Sequence, residues 1–484
     1  MIAILLTDPL FEQDIRELLM AFYPGETYTH SEEEAGQAFL ILRGGKDPGR
    51  ADHFTLDLEE NGAHAALEWF PDFSRRTEAK NEIKRGLYDC LRKRTGKTLP
   101  WGTLTGIRPT KIALGRLAAG ESRASIAAYM KETYETEDEK IRLCVDVAAR
   151  EHEILRKVGD PNGYSLYVGI PFCPTTCLYC SFTSFPIGKW EKRMDEYLGA
   201  LSRELEYAAG RMRERKLTSV YVGGGTPTAL SAADLERVLS RVRELFPVET
   251  AAEFTVEAGR PDSITPEKLS VLKRCGVTRI SINPQTMKQE TLDLIGRRHT
   301  TGQVKEQFYL ARELGFDNIN MDLIAGLPGE TIGDLARTMD EIAALSPDGV
   351  TVHSLAIKRA SRLNLERERY GAYAIVNTQE MIDLTARRAA GMGLFPYYLY
   401  RQKNMAGNFE NVGYAAPGRE CVYNILIMEE QQTIVGCGAG TTTKVLYPSQ
   451  NRLERAENVK EVEQYIARTD EMIARKDRLL AAME

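Results

Sequence analysis

Between residues 166 and 355, short apolar runs alternate six times with helical stretches, and that alternation limits the fold more than any other feature of the chain. The runs fall at 166–170, 220–222, 253–256, 279–282, 319–324 and 350–355. Ser231-Ala-Ala-Asp234 can cap a helix whose apolar face is Leu235, Val238, Leu239, Val242 and Phe246. Thr331-Ile-Gly-Asp334 stands in the same relation to Leu335, Met339, Ile342 and Leu345. Strand-then-helix units in series demand a parallel sheet with right-handed crossovers. The expected class is α/β, a partial (β/α)6 barrel that is closed or part-closed.

Polar and glycine-rich residues follow the C-terminal end of each run. A cysteine loop follows the first, Gly223-Gly-Gly-Thr226-Pro-Thr the second and Glu257 the third. Gln285 follows the fourth, Asp322 falls within the end of the fifth, and His353 marks the sixth. In a parallel α/β barrel these ends converge on one face, where ligands bind. Each residue alone has a plain explanation as turn or cap chemistry; the shared placement does not.

The flanking segments differ in character. An apolar strand at 2–6 and a helical pattern through Phe11, Ile15, Leu18 and Leu19 open an N-terminal α+β domain. Strand-like runs follow at 38–42, 54–58 and 65–70, then a basic helix at 79–93. Residues 121–158, nearly free of Pro and Gly, read as connecting helices, and Pro161-Asn-Gly punctuates what comes next. The expected domains are 1–160, 161–360 for the barrel, and 361–484 as a mainly helical C-terminal cap.

Bulk properties narrow the function. A chain of 484 residues with 43% hydrophobic and 27% charged residues is an ordinary globular protein. A net charge of −6 argues against nucleic acid as partner, which would need a basic face. No apolar run approaches membrane-spanning length, and the first seven residues are too short for a signal sequence. Eight cysteines in a chain this long do not make a disulfide scaffold and suit a reducing, cytoplasmic setting. Five of them (Cys90, Cys144, Cys275, Cys421 and Cys437) are scattered and read as small buried hydrophobes.

The other three are Cys173, Cys177 and Cys180, in Tyr167-Val-Gly-Ile-Pro-Phe-Cys-Pro-Thr-Thr-Cys-Leu-Tyr179-Cys. C-x3-C-x2-C gives three thiolates from one loop, the ligand iron–sulfur clusters select. A cubane [4Fe–4S] cluster held by three cysteines keeps one iron open. The alternatives are structural zinc, which wants four Cys or His ligands usually in two spaced pairs, and three unrelated core cysteines. The bare backbone of Gly223-Gly224-Gly225 can approach a ligand closely. Glu257 and Asp322 could accept hydrogen bonds from hydroxyls or an ammonium group. Arg297, in Ile295-Gly-Arg-Arg-His299, offers a planar fork for a carboxylate, or is a solvated helix end.

In this order, Tyr-x-x-Ile-Pro-Phe-Cys-x3-Cys-x-Tyr-Cys, Gly-Gly-Gly-Thr-Pro-Thr, Glu257, Gln285, Gly-Arg-x-His and Asp-Leu-Ile-x-Gly-Leu-Pro-Gly resemble one family. It is that of the radical S-adenosylmethionine (SAM) oxygen-independent coproporphyrinogen III oxidases, or coproporphyrinogen dehydrogenases, with their heme-chaperone relatives. The likeness runs from about Tyr164 to Thr443. The extension with Leu99-Pro-Trp-Gly-Thr-Leu-Thr-Gly-Ile-Arg108-Pro-Thr-Lys111 is similar to the HemZ-like branch.

The resemblance implies that Cys173, Cys177 and Cys180 hold a [4Fe–4S] cluster whose open iron chelates SAM. Tyr167, Tyr179, Gly224, Gly225, Thr226, Glu257, Gln285, Arg297, Asp322 and Ala356 match SAM-contacting positions, for one SAM or two. It implies oxidative decarboxylation of coproporphyrinogen III propionates to vinyl groups. A 5′-deoxyadenosyl radical would take hydrogen from the propionate β-carbon. Flavodoxin or ferredoxin would supply electrons. Rival implications are a heme carrier and a methyltransferase acting on heme.

Three positions depart from the family pattern. Phe182 stands where the dehydrogenase has a further cysteine, and Gly169 where many relatives have histidine. Tyr423-Asn-Ile-Leu-Ile427-Met428 replaces a His-Asn-x-x-Tyr-Trp signature linked with heme binding. The C-terminal stretches 395–402, 404–414 and 436–444, with their tyrosines, Arg401 and Lys444, suit a carboxylate-bearing macrocycle or a packed lid. Arg108 and Lys111 read as a carboxylate contact or a domain-interface pair.

Overall fold

The computed structural model describes residues 1–50, 52–358, 361–371, 373–402, 409–450 and 452–483. Two compact units divide it. The first is Met1–Asp146 together with Arg401 and Gln402; the second runs from Val147 to Tyr400 and resumes beyond that excursion to the C-terminus. The boundary falls inside the helix Asp138–Val158.

The first unit is a five-stranded sheet in the order β2-β1-β3-β4-β5, from β1 (Ile2–Leu6), β2 (Tyr28–Thr29), β3 (Leu40–Lys46), β4 (Phe54–Glu60) and β5 (Ala63–Trp69). Alternation on β4 buries Phe54, Leu56 and Leu58 against Ile15, Leu18, Leu19 and Phe22 of the helix Glu12–Phe22. Ile83, Leu87 and Leu91 of the helix Arg76–Thr95 complete the core.

The second unit is built on β6 (Tyr164–Ile170), the two-residue strands β7 (Phe172–Cys173) and β8 (Phe185–Pro186), β9 (Leu217–Gly224), β10 (Glu253–Gly259), β11 (Arg279–Ile282), β12 (Ile319–Ala325) and β13 (Gly349–Ser354). Each expected run is a strand. β6, β9, β10, β11, β12 and β13 pair in chain order, all parallel. Helices Ala232–Leu245 and Ile332–Leu345 begin where the caps indicated. Ser231 Oγ accepts from the Asp234 amide, and Thr331 with Asp334 forms a reciprocal capping box, each cap contributing about 1 kcal/mol.

The segment expected as a mainly helical cap also carries five strands that join this sheet. They are β14 (Phe395–Tyr400), β15 (Asn411–Ala415), β16 (Thr433–Cys437), β17 (Thr442–Tyr447) and β18 (Arg452–Glu457). The full order is β14-β15-β13-β12-β11-β10-β9-β6-β16-β17-β18. β16 lies parallel to β6, so the first barrel strand is not an edge, and the C-terminal segment shares one compact unit with the barrel. Pairing satisfies the backbone groups an edge strand would expose.

Register sets which side chains share the concave face. Ser165, Tyr167 and Gly169 of β6 lie level with Ser219, Tyr221 and Gly223 of β9. Ser219 Oγ donates to Ser165 Oγ at 2.8 Å, and the rings of Tyr167 and Tyr221 stack at 6.0 Å. The helix Val422–Glu429 adds Tyr423, stacked 4.6 Å from Tyr221, and its first amide donates to the Glu253 carboxylate at 2.8 Å.

A buried ion pair ties the last helix, Thr469–Leu480, to the barrel. Lys476 Nζ contacts Glu204 Oε1 with both side chains 1% exposed or less. Asn458 and Tyr465 donate to the same carboxylate at 2.8 and 2.6 Å, as does the Gly438 amide at 2.6 Å.

Candidate functional site

β6 stops at Ile170, and Pro171 turns the chain into the cysteine loop. The loop is closed at its base by β7 pairing with β8 and by the Phe185 amide donating to the Pro171 carbonyl at 2.8 Å. Its middle is pinned twice. The Leu178 amide donates to the Ile295 carbonyl at 2.9 Å, and the Leu363 amide donates to the Leu178 carbonyl at 2.9 Å. Leu178 packs with Leu292, Ile295, Leu327, Leu355 and Leu363, so apolar burial reinforces both bonds.

All three loop cysteines are free thiols, Cys177 8% exposed and the others half-buried. Thr226 Oγ1 lies 3.4 Å from Cys173 Sγ, and Arg260 Nη1 donates toward Cys177 Sγ at 3.9 Å. Burial pushes the Cys173 thiol up to about 11 and Cys180 upward too, so iron ligation here releases protons. Among the described residues no three His, Cys, Asp or Glu side chains are disposed to hold a single metal ion. Sulfurs on one tetrahedral zinc must lie within about 4 Å of each other, whereas thiolates on three corners of a cubane stand farther apart. Three unpaired thiols in a loop with N–H and O–H donors aimed at sulfur fit a cluster.

The glycine turn lies against this loop. The Gly225 amide donates to the Ile170 carbonyl at 2.8 Å and the Thr226 amide to the Phe172 carbonyl at 2.7 Å. Gly224 sits at φ +104°, where a side chain would be strained, and a Cβ on Gly225 would fall 2.5 Å from the Phe172 oxygen and displace the loop.

Deeper on the concave face, Tyr221 donates to Glu257 Oε1 at 2.6 Å. Burial raises the Glu257 carboxyl to about 7, opposed by that hydrogen bond and aided by the Asp322 charge. Asp322 behaves in the opposite sense. Burial opposes its charge, but the neighbouring His353 and a hydrogen bond from Asn320 at 2.7 Å hold it below the ordinary carboxylate range. His353 Nε2 lies 3.9 Å from Asp322 Oδ2, and His353 Nδ1 lies 3.4 Å from the Tyr400 hydroxyl. Tyr400 stacks on Tyr398. Two adjoining carboxyls with opposite shifts offer one acceptor that is charged at neutral pH and one that titrates there.

Gln285 is buried in a left-handed conformation at φ +70°, rare outside glycine, with its amide bonded to the Asp322 carbonyl at 2.9 Å. Arg297 is buried, not a solvated helix end. Its Nη1 donates to the Asn283 carbonyl, and although burial disfavours its charge, Tyr179 and Cys177 beside it hold its pKa above the ordinary arginine range. Burial, then Arg297, pushes His299 down to about 3. Ala356 follows β13, beside Leu355, whose amide bonds to the Ala325 carbonyl. The structure thus connects Tyr167, Tyr179, Gly224, Gly225, Thr226, Glu257, Gln285, Arg297 and Asp322 to one another or to the cysteine loop, and sets Ala356 at the neighbouring strand end.

Other sequence candidates fall elsewhere. Arg401 is buried in the first unit, its Nη1 donating to the Leu104 carbonyl at 2.6 Å and its guanidinium 5.7 Å from the Trp101 ring centre. Lys444 lies in the middle of β17, level with Ile434 and Arg455. Arg108 and Lys111 flank the start of the helix Thr110–Ala118. Of the 404–414 stretch, 404–408 lie outside the described residues. Clefts of about 390 and 500 Å³ open behind the cysteine loop, sharing Asp293, Gly296 and Arg362. A cavity of about 770 Å³ lies at the opposite, N-terminal strand ends, lined by Glu253, Thr278 and Asn318. Sequence reasoning missed Arg260, because Arg-Pro-Asp resembles an ordinary exposed turn. It also left out Tyr221, whose only signal was the two-residue spacing to Gly223.

Comparison with known proteins agrees with this geometry. Residues 167–342 match the radical SAM superfamily. The chain is 40% identical over 428 residues to the oxygen-independent coproporphyrinogen-III oxidase-like protein HemZ of Bacillus subtilis (strain 168), covering 86% of this chain and 85% of the relative. It is 32% identical over 286 residues to the heme chaperone HemW of the same strain, 57% of this chain and 69% of the relative. Coproporphyrinogen III oxidase (HemN) from Escherichia coli, described as a radical SAM enzyme, shares the fold with a TM-score of 0.52 and 24% identity, over 66% of this chain and 72% of that one. The chain therefore belongs to the radical SAM superfamily, in the family of the oxygen-independent coproporphyrinogen-III oxidase-like protein HemZ, whose cofactors are a [4Fe–4S] cluster and SAM.

Proposed function

We propose that this chain is a radical SAM enzyme acting on a tetrapyrrole, and that its reaction is oxidative decarboxylation of coproporphyrinogen III propionates to vinyl groups. The observation that carries the reading is the arrangement of the cysteine loop, the glycine turn and the Glu257–Asp322–His353–Tyr400 group at one set of strand ends. When bound, the cluster and SAM supply one electron and a carbon radical able to take hydrogen from an unactivated carbon.

The protein's part is binding, orientation and exclusion of water. Cys173, Cys177 and Cys180 hold the cluster, backed by Thr226 and Arg260. The backbone of Gly224 and Gly225 accepts the amino acid end of SAM where a side chain would not fit. Ionised Asp322 and Glu257 bind hydroxyl or ammonium groups, and Tyr167, Tyr179, Gln285, Arg297 and Ala356 complete the pocket. His353 with Tyr400 and Tyr398 supplies an aromatic, hydrogen-bonding wall suited to a pyrrole ring and its carboxylates. No side-chain base is needed for hydrogen abstraction. A flavodoxin or ferredoxin would serve as electron donor.

The position where the chaperone pattern has histidine is Tyr423. It is 5% exposed and stacked on Tyr221 and Tyr167, so it offers no open ligand to heme iron. The test is anaerobic incubation of reconstituted protein with SAM, a reductant and coproporphyrinogen III. 5′-Deoxyadenosine and vinyl-bearing product are expected together. Stable stoichiometric heme binding without vinyl product would overturn the reading in favour of a carrier. Added methyl mass would favour a methyltransferase.

A further inference from the structure

β10 ends at Gly259, and the next residue, Arg260, turns its side chain beneath the cysteine loop. Only 2% of that side chain reaches solvent. A guanidinium so deeply buried is costly unless its donors are satisfied and its charge is balanced. Asp262 meets both needs with a two-point contact, Nε to Oδ1 at 2.9 Å and Nη2 to Oδ2 at 2.6 Å. The planar fork then fixes where the remaining corner points. Nη1 donates to the Thr175 hydroxyl at 2.6 Å and carbonyl at 3.0 Å, and reaches Cys177 Sγ at 3.9 Å.

We propose that Arg260 is a positioning residue that sets the reduction potential of the cluster. Through Thr175 it holds the cysteine loop in place, and through its N–H···S contact it favours the reduced cluster. Thr175 is itself fixed from the far side, its hydroxyl donating to the Gly296 carbonyl at 3.1 Å, so the arginine is one face of a two-sided clamp. Reduction adds negative charge to the cluster and its thiolates. A hydrogen-bond donor and a positive charge at a ligand sulfur stabilise that charge and raise the potential. Asp262 partly neutralises the guanidinium, but its carboxylate contacts Nε and Nη2 while Nη1 faces the sulfur. The corner of the pair that faces Cys177 is therefore the positive one.

This inference rests on Cys177 as a cluster ligand and not on the tetrapyrrole reading. Its test is a redox titration of anaerobically reconstituted full-length protein, followed by electron paramagnetic resonance without SAM or substrate, with iron content measured in parallel. R260M is expected to hold iron but to show a tenfold lower reduced-to-oxidised ratio at fixed poise, about 59 mV more negative for a one-electron couple. R260K should fall between R260M and wild type. D262N should shift the opposite way, because it removes the neutralising carboxylate and keeps the donor. Iron-replete variants that titrate with the wild type would overturn the proposal, as would shifts of the same sign in R260M and D262N. If R260M takes up no cluster, R260K and D262N decide by the same criterion. A C177S protein that keeps a full cluster overturns the ligand assignment itself, a result separable from failure of Arg260 alone.

Discussion

Replacing Glu257 by Gln should change how stability depends on pH. The Glu257 carboxyl stands at about 7 in the folded chain against an ordinary 4.5, chiefly through burial. Because the folded value is raised, the folded state keeps a proton that the unfolded state has lost between these two values. Stability therefore falls as pH rises from about 4.5 to 7 and is flat above. The full rise corresponds to about 3 kcal/mol. Glu257 is only half-buried and lies at an open strand end, so water screens part of this and leaves about 1–2 kcal/mol over the whole window. Gln preserves an acceptor for Tyr221 and cannot ionise. Urea unfolding of both proteins at pH 4 and 8, which bracket the whole window, should find E257Q gaining on the wild type by ~1–2 kcal/mol at the higher pH. SAM affinity of the wild type should tighten across the same window, since a bound cation favours the carboxylate, while E257Q stays flat. Equal pH dependence in the two proteins would refute the reasoning, because it would place the titration elsewhere.

Three further outcomes follow from contacts already described. G225A would bring a methyl group to 2.5 Å from the Phe172 oxygen and 2.9 Å from that of Ile170. It should cost ~1–3 kcal/mol by overpacking and lower iron retention after reconstitution. K476M strands the Glu204 carboxylate without its cation and should cost ~3 kcal/mol in urea unfolding, with most of it recovered in the E204Q/K476M pair. Y423H, which restores the histidine of the chaperone pattern, should leave the Soret band of added heme unshifted, since the stacked rings enclose that position.

The barrel was legible because both of its faces obey simple rules. Apolar residues such as Val220 and Val222 mark the strand, and the capping residues Ser231 and Thr331 mark the helices that follow. Strand lengths were read short where the concave face is polar. β9 begins at Leu217 rather than at 220, since Thr218 and Ser219 look like loop until Ser165 is seen opposite. The strands β16–β18 were missed for a related reason. The apolar parts of β16 and β17, Ile434-Val435 and Val445-Leu446-Tyr447, are only two or three residues long, β18 is mostly charged, and the set is anchored by β16 pairing with β6, a contact more than 260 residues away in the chain. At the site, cysteine spacing and glycine turns are local signals and were readable. The left-handed backbone of Gln285, the burial of Arg297 and the turn of Arg260 beneath the loop depend on tertiary neighbours and leave no local trace.

The departures from the family pattern share a location that bears on what this protein does. The cysteine loop and the glycine turn keep the residues proposed to hold the cofactors, and backbone hydrogen bonds pin them at Pro171, Phe172 and Leu178. The changes fall around them. The space a side chain on Gly169 would need is taken by Thr441, whose methyl carbon would lie 2.4 Å from the added Cβ. Restoring histidine there thus requires the Thr441 side chain to move, beside a turn that the buried Glu204 holds through the Gly438 amide. Phe182, in place of a cysteine, stands 76% exposed beyond the last ligand. Tyr423 closes the concave face with two other tyrosines. On the proposed reading, cofactor binding is therefore the part of the site that these departures leave untouched, since Gly169, Phe182 and Tyr423 all lie outside 173–180 and 223–226.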